Sequence, residues 1–169
     1  MISNKELLEI YKLKNIIRYN THPKLTKESV AEHSFYVALI ALKICDKLKV
    51  NEDIKLLSIE KALLHDLPEI KMNDITYDAK HILHLEEIIK NFETKYYEEN
   101  YPEYTELMNT KDGLVSSIVS LSDILSVKQF SLFETLLGNN SPEMKQIEND
   151  TDERITEITK KLYEELKKW

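Results

Sequence analysis

Glycine and proline are scarce in this chain, two and four among 169 residues, about 4% together where roughly 12% is usual. Tight β-turns draw on both residues, so sandwiches, barrels and Rossmann-type folds are disfavoured. The single cysteine, Cys45, cannot form an internal disulfide, which points to a reducing compartment. Basic charge is in deficit, 23 Lys and Arg against 30 Asp and Glu, for a net charge of −7 and a pI near 5.3. A protein that lives on nucleic acid draws most of its affinity from a basic face, so nucleic acid is not an expected partner. A pocket for a small phosphorylated ligand needs only two or three local cations and is not excluded. Long apolar runs are missing too. The uncharged stretch Gly113–Ser122 has ten residues, five of them Ser or Gly, well short of a membrane span. The first residues lack the basic-then-apolar layout of a secretory signal. The expectation is a cytoplasmic, non-membrane, all-α protein forming a single domain over residues 1–169.

What remains is helical patterning broken at a few places. A first helix is expected over Asn4–Arg18, followed by a polar loop through Pro23 and Lys24. A second opens near Glu28 and runs to Leu48. Counting 100° per residue, Val37, Ile40 and Ile44 fall within about 40° of His33, so His33 should face the interior. Asn51 is a suitable N-cap for a third helix that ends in Ala62-Leu-Leu64-His65-Asp66 before Pro68 removes a backbone donor. A charged helix is expected over Ala79–Glu99, an apolar one from Gly113 to Leu137, and a last one over Asp150–Lys168. The loop Gly138–Pro142 separates the last two, so a core of about residues 7–137 precedes a C-terminal helix of about 150–168. Tyr96, Tyr97, Tyr101 and Tyr104 read as a packing cluster around Pro102, because no basic stripe accompanies them.

Chemistry concentrates in four residues. His33 faces inward, His65 and Asp66 end a very apolar helix, and Asp123 interrupts the apolar helix after Gly113. An isolated inward histidine is most often a hydrogen-bonded core residue. A carboxylate in an apolar helix face, however, carries a desolvation penalty of several kcal/mol unless it is paired. One divalent metal held by His33, His65, Asp66 and Asp123 would compensate both acids and give both imidazoles a reason to point inward. The mixed nitrogen and oxygen donors suit Mn, Fe, Co, Ni or Zn. His22, His81 and His84 have no assigned role.

The segments Val30-Ala-Glu-His33-Ser, Ala62-Leu-Leu-His65-Asp66-Leu-Pro-Glu69 and Ser120-Leu-Ser-Asp123 follow an H…HD…D order. This pattern resembles the HD-domain metal-dependent phosphohydrolases. Arg18-Tyr19, the Ala-Glu-His-Ser quartet, Glu69 and Asn73-Asp74-Ile75 narrow the resemblance to their 5′-deoxynucleotidase branch, over roughly Leu7 to Val127. The resemblance implies an all-helical bundle in which the four named residues ligate one divalent ion. It implies removal of the 5′-phosphate from (deoxy)nucleoside monophosphates, giving nucleoside and phosphate. Glu69 would orient water or take its proton, Asp74 would contact water or the sugar, Arg18 would fork onto the phosphate, and Lys80 would add positive charge. The branch usually carries Trp where Tyr19 stands; an aromatic there would stack on a base or crowd the sugar. The resemblance also implies a homo-oligomer, most simply a homodimer, with the last helix offering an apolar face. The rival enzymatic reading is (deoxy)nucleoside triphosphate hydrolysis at the same site, which would need more cations than Arg18, Lys24, Lys27 and Lys80 supply. Hydrolysis of a guanosine alarmone fits less well, since Ile70 stands where an acid is expected. The non-enzymatic rival is a helical nucleotide-binding or scaffolding module with a structural metal, against which Glu69, Asp74 and Arg18 argue.

Overall fold

The computed structural model describes residues 3–111 and 113–169; of Tyr77, Asp78 and His81 only the backbone course is described, so the unassigned His81 ring lies outside the described residues. Helices account for nearly all regular structure among them. The one strand-like feature is an antiparallel bridge between Ile17 and Ser29.

Helix α1, Asn4–Tyr11, is held by a capping box between Ser3 and Glu6. The chain tightens into a 3₁₀ turn over Lys12–Asn15 and then extends at Ile16. The first helix is therefore shorter than expected and Arg18 lies outside it, in the bridged segment. Arg18 N–H donates to Glu28 O at 2.9 Å and Val30 N–H to Ile16 O at 2.9 Å. These backbone bonds offer residues 16–18 what a further helical turn would have supplied.

Helix α2, Val30–Leu48, begins at a second capping box, Ser29 with Glu32, and stops where Lys49 turns left-handed at φ 55°. Helix α3, Glu52–Leu64, is capped by Asn51 as the sequence suggests. A single-turn α4, Glu69–Met72, follows Pro68. The expected charged helix is instead two, α5 (Tyr77–Ile82) and α6 (Glu86–Asn100). Between them His84 adopts φ 52°, a conformation no α-helix accommodates. After the short α7, Thr105–Asn109, comes the long α8, Leu114–Leu136.

The last helix, α9, runs over Pro142–Leu166 and starts two turns earlier than expected. Ser141 caps it and Pro142 occupies its first turn, a favoured place for a residue with no N–H. Helix α8 is the hub, packed against α2, α3 and α9. Its serines 116, 117, 122, 126 and 131 are all buried, and these small side chains admit close neighbours. The principal core joins Val37, Ala41 and Cys45 of α2, Ala62 of α3, Ile118 and Ile124 of α8, and Leu162 of α9. A second cluster packs Leu13, Ile16 and Val30 on Leu67, Tyr96 and Tyr97.

Candidate active site

Three separate elements converge on one cluster. His33, on the first turn of α2, is fully buried. His65 and Asp66 sit just beyond the last residue of α3, where the helix opens before Pro68. Asp123 comes from the middle of α8. Ligand atoms of His33, His65 and Asp66 all lie within 4.8 Å of one another. His65 Nε2 is 3.2 Å and His33 Nε2 3.7 Å from the same Asp66 Oδ2. Asp123 Oδ1 is 3.1 Å from His33 Nε2.

The buried Nε2 atoms of His33 and His65 nevertheless lack a well-formed hydrogen bond. His65 Nδ1 lies 2.7 Å from Ala62 O. A carbonyl can only accept, so Nδ1 carries a proton and Nε2 is the ring atom turned to the cluster. His33 Nδ1 has Ser126 Oγ at 3.3 Å and Glu28 Oε1 at 3.6 Å. Two imidazoles and the Asp66 carboxylate around one centre, with the Asp123 carboxylate against His33, suit a divalent transition metal.

The electrostatics agree. Burial raises the Asp123 carboxyl, but His33, His65 and Arg18 outweigh it and hold the group to about 2. Burial opposes ionisation of Asp66 as well, yet His65, His33 and Arg18 keep it far below the usual carboxylate range. Burial lowers His65, while Asp66 and Asp123 raise it to about 9. Positive charge is what this cluster draws in.

Arg18 reaches the cluster from the bridged segment and donates from Nη1 to Asp66 Oδ2 at 3.2 Å. Its Nε is buried without a hydrogen-bond partner, 3.8 Å from Glu28 Oε1. Glu69, just after Pro68, is buried with Oε2 unpartnered. Burial, with Asp66 and Asp74 nearby, raises its carboxyl to about 9. Asp74 accepts from the Tyr19 N–H at 3.1 Å, so one of its oxygens already anchors Tyr19, whose φ is 57°. Arg18, Tyr19, Asp66, Glu69, Asp74, Lys80 and Asp123 all border one cavity of about 780 Å³.

Tyr19 borders the cavity as part of its wall. Its ring stacks on Phe130, centroids 4.5 Å apart and planes 6° apart, with the Arg18 guanidinium 5.5 Å from its centroid. One face of the ring is thus covered by Phe130. Lys24 also does other work, donating to Arg18 O and Tyr19 O at 2.7 and 2.9 Å, which fastens the loop behind the pocket.

Several participants carry no signal in the sequence. Glu28 reads as the start of a helix, yet it stands behind both Arg18 and His33. Tyr97 reads as packing, yet its hydroxyl donates to Leu64 O at 2.6 Å, beneath the His65–Asp66 turn. The first half of α9, including Gln146, Asp150 and Arg154, lines the cavity opposite the ligand cluster. The early start of α9 adds Pro142, Glu143, Gln146 and Ile147 to that wall.

A family model described as 5′-deoxynucleotidase YfbR-like matches residues 7–166. Among solved structures, a conserved hypothetical protein from Pyrococcus furiosus is 27% identical with a TM-score of 0.77, covering 99% of this chain and 100% of that one. An HD-domain phosphohydrolase from Listeria innocua is 26% identical with a TM-score of 0.75, covering 96% of this chain and 83% of that one. The cyanophage S-2L HD phosphohydrolase DatZ, bound to dA and one catalytic Zn²⁺, is 17% identical with a TM-score of 0.76, covering 99% and 96%; at that identity it speaks for the fold. No curated protein matches the chain.

Proposed function

We propose, for a chain that belongs to the YfbR-like 5′-deoxynucleotidase family, metal-dependent removal of the 5′-phosphate from deoxynucleoside monophosphates. The carrying observation is the pair of buried, unpartnered Nε2 atoms of His33 and His65 facing Asp66, with Arg18 on the same carboxylate and a 780 Å³ cavity in front. His33, His65, Asp66 and Asp123 would hold one divalent ion. Bound there, it would supply Lewis-acid stabilisation of phosphoryl charge and bring the pKa of a water toward about 7.

The rest falls to the chain's own side chains. Arg18 binds non-bridging phosphate oxygens through its planar fork, and Lys80 adds charge from the opposite wall. Glu69 orients the attacking water and accepts its proton. Burial, with Asp66 and Asp74 nearby, raises its proton affinity, and it ionises more readily as positive charge offsets Asp66. Asp74 keeps Tyr19 in place and turns its second oxygen to the sugar side. Val127 and Ile147 offer apolar contact for the nucleoside.

We further place the protein in the cytoplasm as a single-domain homodimer. The buried free thiol of Cys45 supports the first. Exposed Phe35, Tyr36 and Leu39 on α2, with Leu56 and Leu63 on α3, support the second. No helix among the described residues is long and apolar enough to cross a membrane.

The test is a panel of nucleoside mono- and triphosphates assayed with Mn²⁺, Co²⁺, Zn²⁺ and Mg²⁺, with the products identified. Nucleoside and orthophosphate from monophosphates are expected. Release of tripolyphosphate from triphosphates, with monophosphates left intact, would overturn the substrate assignment.

A further inference from the structure

The antiparallel bridge that delivers Arg18 to the site also delivers Glu28. The Arg18 N–H donates to Glu28 O at 2.9 Å, Ile17 pairs with Ser29, and Val30 N–H donates to Ile16 O. Ser29 then caps α2, and His33 N–H donates to Ser29 O at 3.0 Å. The stretch 28–33 therefore carries a candidate metal ligand and an acid, with the backbone bonded on either side of that acid.

The Glu28 side chain is 9% exposed, and its Oε1 makes no hydrogen bond among the described residues. That one oxygen lies 3.6 Å from His33 Nδ1 and 3.8 Å from Arg18 Nε. Arg18 Nε is likewise buried without a hydrogen-bond partner. A buried carboxylate oxygen and a buried guanidinium N–H are rarely both left unbonded, and a shift of about 1 Å closes either gap to bonding distance. The other ends of both groups face the ligand cluster. Arg18 Nη1 is 3.2 Å from Asp66 Oδ2, and His33 Nε2 is 3.1 Å from Asp123 Oδ1.

A carboxylate oxygen can only accept. Behind an imidazole it favours the proton on Nδ1, leaves Nε2 for a metal and strengthens the ring as a ligand. Ser126 Oγ, 3.3 Å from the same Nδ1, is neutral and both donates and accepts, so it does not impose that choice alone. Behind a guanidinium, the same oxygen engages Nε and leaves the two Nη groups to fork onto an anion. We propose that Glu28 is a positioning residue shared by the metal site and the phosphate clamp. Its single carboxylate aims His33 at the divalent ion and Arg18 at the phosphate, so that the two are tuned together. This deepens the preceding reading and rests on it for the roles of His33 and Arg18.

Chelator-stripped wild type and Glu28→Gln are titrated with Co²⁺ and followed by visible absorption; monophosphate hydrolysis is then measured at saturating Co²⁺. The substitution keeps size and an acceptor oxygen but removes the charge. The Co²⁺ Kd should rise about tenfold or more. At saturating Co²⁺, KM should rise about three- to tenfold with a smaller change in kcat. In an Arg18→Lys background, which has already lost the fork, the KM penalty of Glu28→Gln should vanish, whereas a merely structural role would add in full. Where Glu28→Gln fails to fold, Glu28→Asp, which keeps the charge but withdraws it by one methylene, gives the same two readings at smaller size. Unchanged Co²⁺ affinity, or a KM penalty that persists beside Arg18→Lys, would overturn the proposal. A wild type that binds Co²⁺ yet leaves nucleoside monophosphates intact would defeat the functional reading instead. The Kd for orthophosphate, from ³¹P NMR of the Co²⁺-free and Co²⁺-loaded proteins, then takes the place of KM and decides the role of Glu28 beside the Co²⁺ titration.

Discussion

Glu134 offers the sharpest test of how the pocket is held. It lies near the end of α8 with no exposure to solvent, and its hydrogen bonds come from neutral donors. Its Oε1 accepts from Thr26 N at 2.7 Å and Thr26 Oγ1 at 2.5 Å; its Oε2 accepts from Leu25 N at 2.7 Å and Asn139 Nδ2 at 2.8 Å. Three of these donors thus pin the 19–28 loop, which runs between Arg18 and α2, to the end of the hub helix, and the fourth comes from the connection after it.

Glu134→Gln keeps one acceptor oxygen but points an NH₂ at two of those donors. Each lost bond to a charged acceptor is worth about 1.5–3 kcal/mol, and relaxation of a half-exposed loop returns part of it. We expect a net loss of about 3 kcal/mol, which in a domain of this size lowers Tm by about 6–12 °C. Burial raises the Glu134 carboxyl, but the bonds from Thr26, Asn139 and Leu25 outweigh it and hold the group below its ordinary value. The contribution is therefore present above the unfolded pKa of about 4.3 and fades as pH falls through the lower folded value. Differential scanning calorimetry of both proteins from pH 7 to pH 3 should show the gap narrowing at the acid end. A variant within about 0.5 kcal/mol of wild type, or a gap indifferent to pH, would refute the reasoning.

Asp66→Asn should cost at least about 10²-fold in kcat and lower the metal bound per chain, read by turnover and metal analysis, since it removes the carboxylate that both imidazoles and Arg18 share. Arg18→Lys keeps the charge but loses the fork; KM should rise about tenfold with a smaller change in kcat, checked by steady-state kinetics. Glu69→Gln should lower kcat about 10²–10⁴-fold with KM nearly unchanged, and remove the ionisation that Glu69 contributes to the pH profile. Chelation should abolish activity while lowering Tm only modestly, because the core of α2, α3, α8 and α9 is apolar and lies apart from the ligand cluster; coupled unfolding in a thermal melt would contradict this.

Helix identity was legible locally because capping and breaking are local events. Asn51 and Pro68 act through backbone bonds within a few residues, and the helix they bound is where the sequence puts it. Boundaries that depend on distant partners were not legible. The first helix stops early because Ile16 and Arg18 exchange backbone bonds with Val30 and Glu28, and nothing near Arg18 announces that pairing. The charged helix divides at His84, and the last helix gains two turns from Ser141 and Pro142.

The same division runs through the site. Side-chain chemistry and periodicity singled out His33, His65, Asp66 and Asp123, since an inward imidazole or a carboxylate in an apolar helix is costly wherever it folds, and the resemblance to the HD-domain phosphohydrolases added Arg18, Glu69, Asp74 and Lys80. What each of them touches was decided in three dimensions. Folding laid Tyr19 against Phe130, put Glu28 behind Arg18 and His33, drew Lys24 onto the backbone, and made α9 a pocket wall. Residue type sets what a group can do, whereas its partners come from elements that are remote along the chain and meet only when the core closes.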